Sequence, residues 1–337
     1  MAKATTLRDI AKEVNLSVAT VSMALNQSSG YERISEKTTR IIKEAAERLD
    51  YHPIVTSQSM RGQKSYLVAF AVPDINHPFA PQLINGVGEA LREAGYQMIL
   101  LDFTNNTVEE SMCQIRQLKC HDVEGIIIHS MGREYAGSIG EIMPCVYLDE
   151  KTFFPCVWFD AQGATSQLVE HFIAQGIRDI AYIGSSDDID TYVEREKGVM
   201  LGMLREGIMS DLQNICRVPA TREGGMEAFE WLRKQERLPR AVIVYTDVVA
   251  HVLIMELHRA GIKVPEEIAI ASVDDVPLSA LMYPTLTCAR VPAEEMGRRA
   301  VSMIIRLLNG ENIGYCETLP VEIHVRESSV IKKYNGE

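Results

Sequence analysis

The sequence predicts an α/β protein in which a small all-helical head precedes a two-lobed body of two doubly wound parallel sheets. Three observations point there. The 337 residues are enough for about two domains, or a small one and a larger one. The first fifty residues repeat apolar side chains at helical spacing, and from Ser65 onward short β-rich runs alternate with helical patterns, as parallel sheets with right-handed crossovers require. With 46% hydrophobic and 24% charged residues, collagen-like, low-complexity and wholly disordered classes are excluded. Apolar stretches such as Tyr66 to Val72 and Met98 to Leu101 fall far short of the roughly 20 residues of a membrane helix.

In the head, Leu7, Ile10, Ala11 and Val14 fall at i, i+3, i+4 and i+7, one face of a helix that Thr6 can cap. Asn15 tolerates the left-handed conformation of a helix end. Ser17 can then cap a second helix, Val18 to Asn26, whose Val21, Ala24 and Leu25 face the first and whose Val18, Ala19, Ser22 and Met23 are left over. A third helix starts at Ser35 and carries Ile41, Ile42, Ala45 and Leu49 until Pro53 interrupts it. A small residue at the crossing (Ala11), a turn residue four later (Asn15) and a β-branched residue six after that (Val21) is helix-turn-helix spacing, which suits a major groove. The same spacing also describes a structural helical hairpin. Charge leaves the choice open. Ten Lys/Arg against seven Asp/Glu give residues 1–64 a charge of +3, and the remainder carries −15, so the head can approach a polyanion that the body repels; yet +3 is also an ordinary solvated surface.

Residues 54–64 are polar and poor in strong helix formers, and alone they are expected to fray; a flexible tether is the alternative reading. In the body, strands are expected at Tyr66–Val72, Gln97–Leu101, Gly125–His129, Cys145–Leu148, Ile180–Gly184, Ala241–Tyr245 and Ile268–Val273. Gly95, Gly176 and Gly261 follow helical runs in similar contexts, each available for a left-handed cap, and this weak repeat suggests two similar sheets. In open parallel sheets ligands sit beyond the carboxyl ends of the strands, where this sequence places Asp74, Asp102, His129, Asp149, Asp247 and Asp274. For Asp74 and Asp102 the expected role is capping the next helix. Arg195 offers a bidentate donor and Phe79 an apolar platform, a set suited to a hydroxyl-rich small molecule such as a sugar or sugar derivative. No Gly-x-Gly-x-x-Gly follows the first strand, and neither a phosphate-binding Gly-x-x-x-x-Gly-Lys-Ser/Thr nor a His-Glu-x-x-His occurs. No catalytic residue, cofactor or metal is therefore expected. His171 and His251 read as surface or core residues, and Met200 and Met203 as packing. The seven cysteines form no close Cys-x-x-Cys pair, which argues for reduced, mostly buried thiols rather than zinc or a disulfide framework. The charged opening, without an apolar signal core, leads us to expect a cytoplasmic protein.

The runs Thr6-Leu7-Arg8-Asp9-Ile10-Ala11, Leu16-Ser17-Val18-Ala19-Thr20-Val21-Ser22 and Ala24-Leu25-Asn26 resemble the head of the lactose-repressor/galactose-repressor family of bacterial transcription regulators. The match continues through Ser35-Glu36-Lys37-Thr38-Thr39-Arg40, Leu49-Asp50-Tyr51-His52-Pro53 and the body. The resemblance implies a headpiece at 1–53, a hinge helix at 54–64 and an effector-binding, dimerising body at 65–337 with a periplasmic-binding-protein-like fold. Its subdomains would lie at about 65–161 with 292–320 and about 162–291 with 321–333. It implies that Val18 and Ala19 reach base edges while Leu7, Ser17, Thr20, Ser22, Asn26, Ser35 and Thr38 lie against phosphates. Met23 stands where many members carry Arg, so a charged contact is missing there. Met60 occupies the place of the hinge leucine that wedges into the minor groove, and Ile54 and Gln58 replace the family's Asn and Arg nearby. Family effector contacts correspond to Phe79, His129, Asp149, Arg195, Asp247 and Asp274; His129 and Thr246 stand where Asn is found, and Ala220 where an aromatic often sits. The function implied is a homodimeric repressor whose grip on double-stranded operator DNA is set by a sugar or sugar derivative. A solute receptor with the same body and a sugar-modifying enzyme are the alternatives. No leucine-heptad tail follows Val330, so no coiled-coil tetramer is expected.

Overall fold

The computed structural model describes residues 5–26, 34–51, 64–131, 136–208, 214–314 and 316–331. The expected hinge contact Met60, with Ile54 and Gln58, and the loop 27–33 lie outside these residues. The chain divides into two compact units, Met1–Ser65 and Tyr66–Glu337.

The first unit holds α1 (Leu7–Val14), α2 (Val18–Asn26) and α3 (Glu36–Arg48). Asp9 accepts from the Thr6 amide at 2.8 Å and from its hydroxyl at 2.6 Å, fixing the start of α1. Asn15 adopts the left-handed conformation, φ 53°, and the Leu16 amide returns to the Ala11 carbonyl at 3.0 Å; the chain turns because Asn bears that conformation at low cost. Ile10, Val21, Ala24, Ile42 and Ala45 are fully buried together. Two expectations need correcting. Ile41 lies on the solvent side of α3, 45% exposed, and its neighbour Ile42 fills the core instead. Ser22 is buried at 5%, because the α2 face that packs on α1 is broader than the Val21, Ala24, Leu25 stripe.

The second unit contains two six-stranded sheets. The first has the order β11-β5-β4-β3-β1-β2 and is parallel throughout. Its strands are β1 (Leu67–Val72), β2 (Gln97–Asp102), β3 (Gly125–His129), β4 (Cys145–Leu148), β5 (Cys156–Phe159) and β11 (Cys316–Leu319), flanked by α4 (Ala80–Glu93), α5 (Val108–Leu118) and α6 (Ala136–Ile142). The second has the order β12-β10-β9-β8-β6-β7, with β12 alone antiparallel. It comprises β6 (Ile180–Ser185), β7 (Ile215–Val218), β8 (Ala241–Val244), β9 (Ala269–Asp274), β10 (Thr287–Arg290) and β12 (Glu322–His324). Its helices are α7 (Ala161–Ala174), α8 (Asp190–Arg205), α9 (Arg222–Arg233) and α10 (Asp247–Arg259). The chain passes between the sheets after β5, after β10 and after β11. After β10 it enters α11 (Ala293–Leu308), which packs on α4 and on strands of the first sheet.

The five strands not expected from the sequence, β5, β7, β10, β11 and β12, are three or four residues long, a length at which periodicity is a weak signal. Gly95, Gly176 and Gly261 take φ of 79°, 81° and 77°, the left-handed caps expected of them. The expectation of mostly buried cysteines is corrected: Cys113, Cys120 and Cys316 are exposed and Cys216 is half-buried. No helix among the described residues is long and apolar enough to cross a membrane.

Candidate functional site

On the head, Val18, at 41% exposure, and Ala19 face solvent at the start of α2. Ser17 caps that helix, accepting from the Thr20 amide at 3.0 Å and sharing a 2.8 Å bond with the Thr20 hydroxyl. Ser35 and Thr38 repeat the arrangement on α3 at 3.2 and 2.8 Å. Hydroxyls are thus held where the positive helix ends favour an anion. Leu7 and Met23 are half-buried. The side chain of Asn26 and all of Met60 lie outside the described residues.

In the body, a cavity of about 140 Å³ lies beyond the carboxyl ends of both sheets, as strand topology dictates. The first sheet contributes Asp74, His77, Phe79, His129, Ser130 and Asp149 to its wall, and the second Ile189, Thr191, Tyr192, Arg195 and Asp274. Ser130, Asp149 and Asp274 sit at positive φ of 45°, 56° and 121°, a backbone cost that clusters at functional sites.

Arg195, 2% exposed, is the centre of the second wall. Its Nη2 meets Asp274 Oδ1 at 2.9 Å, its Nη1 donates to the Tyr245 carbonyl, and its guanidinium lies 5.3 Å and 5.4 Å from the Phe159 and Tyr192 ring centres. Thr246 donates to the other Asp274 oxygen at 2.7 Å. Burial opposes the charge on Arg195, and the Asp274 carboxylate more than offsets it, holding the guanidinium above its ordinary value. Helix α8 brings Arg195 here because it lies very close to α7: a Cβ on Gly198 would stand 2.2 Å from Thr165 Oγ1, and that hydroxyl donates to the Arg195 carbonyl at 2.7 Å.

Opposite, the Phe79 and His129 rings are 6.0 Å apart, and His129 Nε2 stands 4.0 Å from Asp149 Oδ2. Burial, with His77 nearby, lowers His129 to about 3, so the imidazole is neutral and this contact is no ion pair. Burial raises Asp149 to about 7, Arg195 opposing and Asp274 adding to the rise. His77 Nδ1 accepts from the Phe79 amide at 3.3 Å, which leaves Nε2 as a donor. His77 Nε2, His129 Nδ1 and Arg195 Nε are buried without a hydrogen-bond partner among the described residues. A cleft with free donors, carboxylate acceptors and ring faces fits a neutral polyhydroxyl ligand. Its one arginine is already neutralised, so a phosphate gains little there.

The expected contact Asp247 is not part of this wall. It is fully buried, takes hydrogen bonds from the Val276 amide at 2.9 Å and Ser279 Oγ at 2.6 Å, and is bonded by Ser272; burial, with Asp274 adding, raises its carboxyl. It braces the segment after β9 that carries Asp274. The capping expected of Asp74 and Asp102 is also corrected. Asp74 accepts from Asn76 and Thr104, Asp102 from Ile75 and Thr104, while Phe79 and Thr107 occupy the caps of α4 and α5. Sequence reasoning missed Asp74 as cleft wall, and it missed His77, Thr191 and Tyr192. Tyr192 was findable, lying one helical turn before Arg195. A larger open groove of about 470 Å³ borders Gln82, Arg290, Arg298 and Arg299, but Arg298 and Arg299 are paired with Glu89, Glu93, Glu295 and Glu317.

Residues 6–53 match the family of bacterial regulatory proteins, lacI family, and residues 169–329 match the periplasmic binding protein-like domain. The HTH-type transcriptional repressor CytR of Escherichia coli strain K12 is 27% identical over 317 residues, covering 92% of each chain. A transcriptional regulator CelR–cellobiose complex is 25% identical, with a TM-score of 0.72 and coverage of 96% of this chain and 100% of that one. The lac repressor dimer bound to operator and the anti-inducer ONPF superposes with a TM-score of 0.88 at 21% identity, covering 97% and 100%. With the three-helix head and the two facing sheets in that order, the chain carries a head similar to the bacterial regulatory proteins of the lacI family, followed by a body similar to the periplasmic binding protein-like domain.

Proposed function

We propose that this chain is a cytoplasmic, dimeric transcriptional repressor, without enzymatic activity, whose operator affinity is set by a neutral sugar or sugar derivative held between the two lobes. The observation that carries the reading is the buried Arg195–Asp274 pair, 2.9 Å apart, facing Phe79, His129 and Asp149 across one cavity. On the head, Val18 and Ala19 read base edges, apolar tips suiting thymine methyls. Leu7, Ser17, Thr20, Ser35 and Thr38 lie against phosphates, and Asn26, Met23 and Met60 complete the DNA-facing set. Ser22 acts from within, since it is buried.

In the cleft, Arg195 Nε and His77 Nε2 donate to ligand hydroxyls, Asp149 accepts, and Phe79 and Tyr192 cover the ring faces. Asp247 acts through the segment that positions Asp274. A ligand touching both walls favours the lobe arrangement in which all these contacts are made, and only such differential affinity can shift the equilibrium. Leu281 and Tyr283, 80% and 81% exposed, offer an apolar patch for the twofold partner. Two heads spaced to match operator half-sites then supply affinity that one head lacks.

The test begins by selecting, from random duplexes, those that the full chain retains. The selected duplex is then titrated with neutral and phosphorylated sugars. A palindromic duplex and a neutral sugar that changes its affinity about 5- to 150-fold are expected. Retention of no duplex, or a response confined to phosphorylated sugars, would overturn the reading.

A further inference from the structure

All seven cysteines are free thiols, and the sheet register brings two of them side by side. β5 and β11 run parallel, with Cys156 and Cys316 as direct partners in the ladder. Neighbouring strands lie about 4.8 Å apart, inside the roughly 4.4 to 6.8 Å that a disulfide spans between α-carbons. Partnered residues of two strands project to the same face. Exposure separates them: Cys156 is fully buried, whereas Cys316 is exposed on β11, the edge strand.

We infer that Cys156 and Cys316 form a reversible redox pair, in which the Cys316 thiolate is oxidised by a peroxide and Cys156 closes the disulfide. The hydrogen bond from Cys156, aided by the charge of Lys151, brings the Cys316 thiol down to about 7 against the opposing effect of burial. The bond to Cys316 and burial push Cys156 up, so the exposed sulfur is the nucleophile. In the first step the Cys316 thiolate attacks one peroxide oxygen, the O–O bond breaks and hydroxide leaves, giving a sulfenic acid. In the second, Cys156 attacks that sulfur, the S–S bond forms, the S–O bond breaks, and the hydroxyl leaves with the Cys156 proton as water. The two thiols have given two electrons to the peroxide. A small-molecule thiol reverses the reaction by exchange. Both strands continue directly into the second lobe, β5 into α7 and β11 into β12, so the bond fastens together two of the three segments that join the lobes.

The test treats the full chain with hydrogen peroxide, alkylates the remaining thiols and maps the peptides. Expected are a peptide joining Cys156 to Cys316, its loss on adding dithiothreitol, and, before oxidation, alkylation of Cys316 at pH 7 about ten-fold faster than of exposed Cys113. Cys156→Ser is expected to stop at a Cys316 sulfenic acid that dimedone traps, and Cys316→Ser to give no joined peptide. Two results overturn the inference: oxidation of Cys113 and Cys120 with no joined peptide, or Cys156→Ser protein that retains native circular dichroism yet forms no dimedone adduct at Cys316. Neither readout involves DNA or a sugar, so it fails or succeeds independently of the proposed function.

Discussion

Replacing Arg195 by Met leaves the Asp274 carboxylate 4% exposed with the Thr246 hydroxyl as its remaining side-chain partner. It also takes the donor from the Tyr245 carbonyl and the cation from the Phe159 and Tyr192 rings. An uncompensated buried charge costs about 3 to 5 kcal/mol, a large share of the roughly 5 to 15 kcal/mol that stabilises a domain. Asp274→Leu strands the guanidinium instead and is expected to cost about the same. Together the two substitutions remove both charges. The remaining loss is then the two unmatched partners, Thr246 and the Tyr245 carbonyl, at about 1 kcal/mol each. The double variant is therefore more stable than either single one, by at least about 1 kcal/mol. Urea unfolding followed by far-ultraviolet circular dichroism measures all four proteins, and a coupling of several kcal/mol is expected. Additive losses in the double variant would refute the claim that the pair is one buried electrostatic unit.

Four further outcomes follow from the geometry. Gly198→Val places a side chain where a Cβ already meets Thr165 Oγ1 at 2.2 Å; it should destabilise the body by about 1 to 3 kcal/mol and weaken sugar binding, read by denaturation and calorimetry, because Arg195 rides on the displaced helix. Burial raises Asp149 from 3.8 to about 7, so in that window the folded state holds a proton that the unfolded chain has lost. Its contribution to stability accordingly falls as pH rises from about 4 to about 7 and is level above that; a pH series of urea midpoints on the wild type and Asp149→Asn checks this, and an unchanged slope in the variant counts against it. A sugar hydroxyl donating to the Asp149 carboxylate releases that proton, so calorimetry at pH 6 in buffers of different ionisation heat should show proton release on binding. Val18→Asp should lower operator retention at least about ten-fold with the head still helical, whereas Ser22→Glu, at a buried site, should melt the head first; circular dichroism of the two variants distinguishes these outcomes.

The head was legible almost in full, because its signals are local. Thr6, Asn15 and Ser17 each act within four residues of themselves, and helical spacing carries the core. The exceptions, Ile41 and Ser22, depended on which face α3 turns inward and how broad a face α2 presents to its neighbour, which spacing alone does not fix. In the body, β1, β2, β3, β4, β6, β8 and β9 announced themselves as β-rich runs between helical patterns, while β10, β11 and β12 exist because partners distant in sequence pair with them. Asp274 was singled out from its strand-end position and Arg195 as a bidentate donor near a helix start, each together with the resemblance. Asp247 shows the limit: an Asp beyond a strand can face the ligand or brace the next loop. Only the positions of Ser279 and Val276, about thirty residues on, decide which. His77, Thr191 and Tyr192 reach the cavity through the meeting of two lobes, a relation no local pattern encodes.

If sugar bound in the cleft sets the head's grip on DNA, the two binding events are reciprocally linked. The most direct measurement is sugar affinity of the full chain by calorimetry, alone and saturated with its selected duplex. DNA is expected to change sugar affinity by the same factor by which the sugar changes DNA affinity. Equal sugar affinity in the two states, with a sugar known to shift DNA binding, would contradict it.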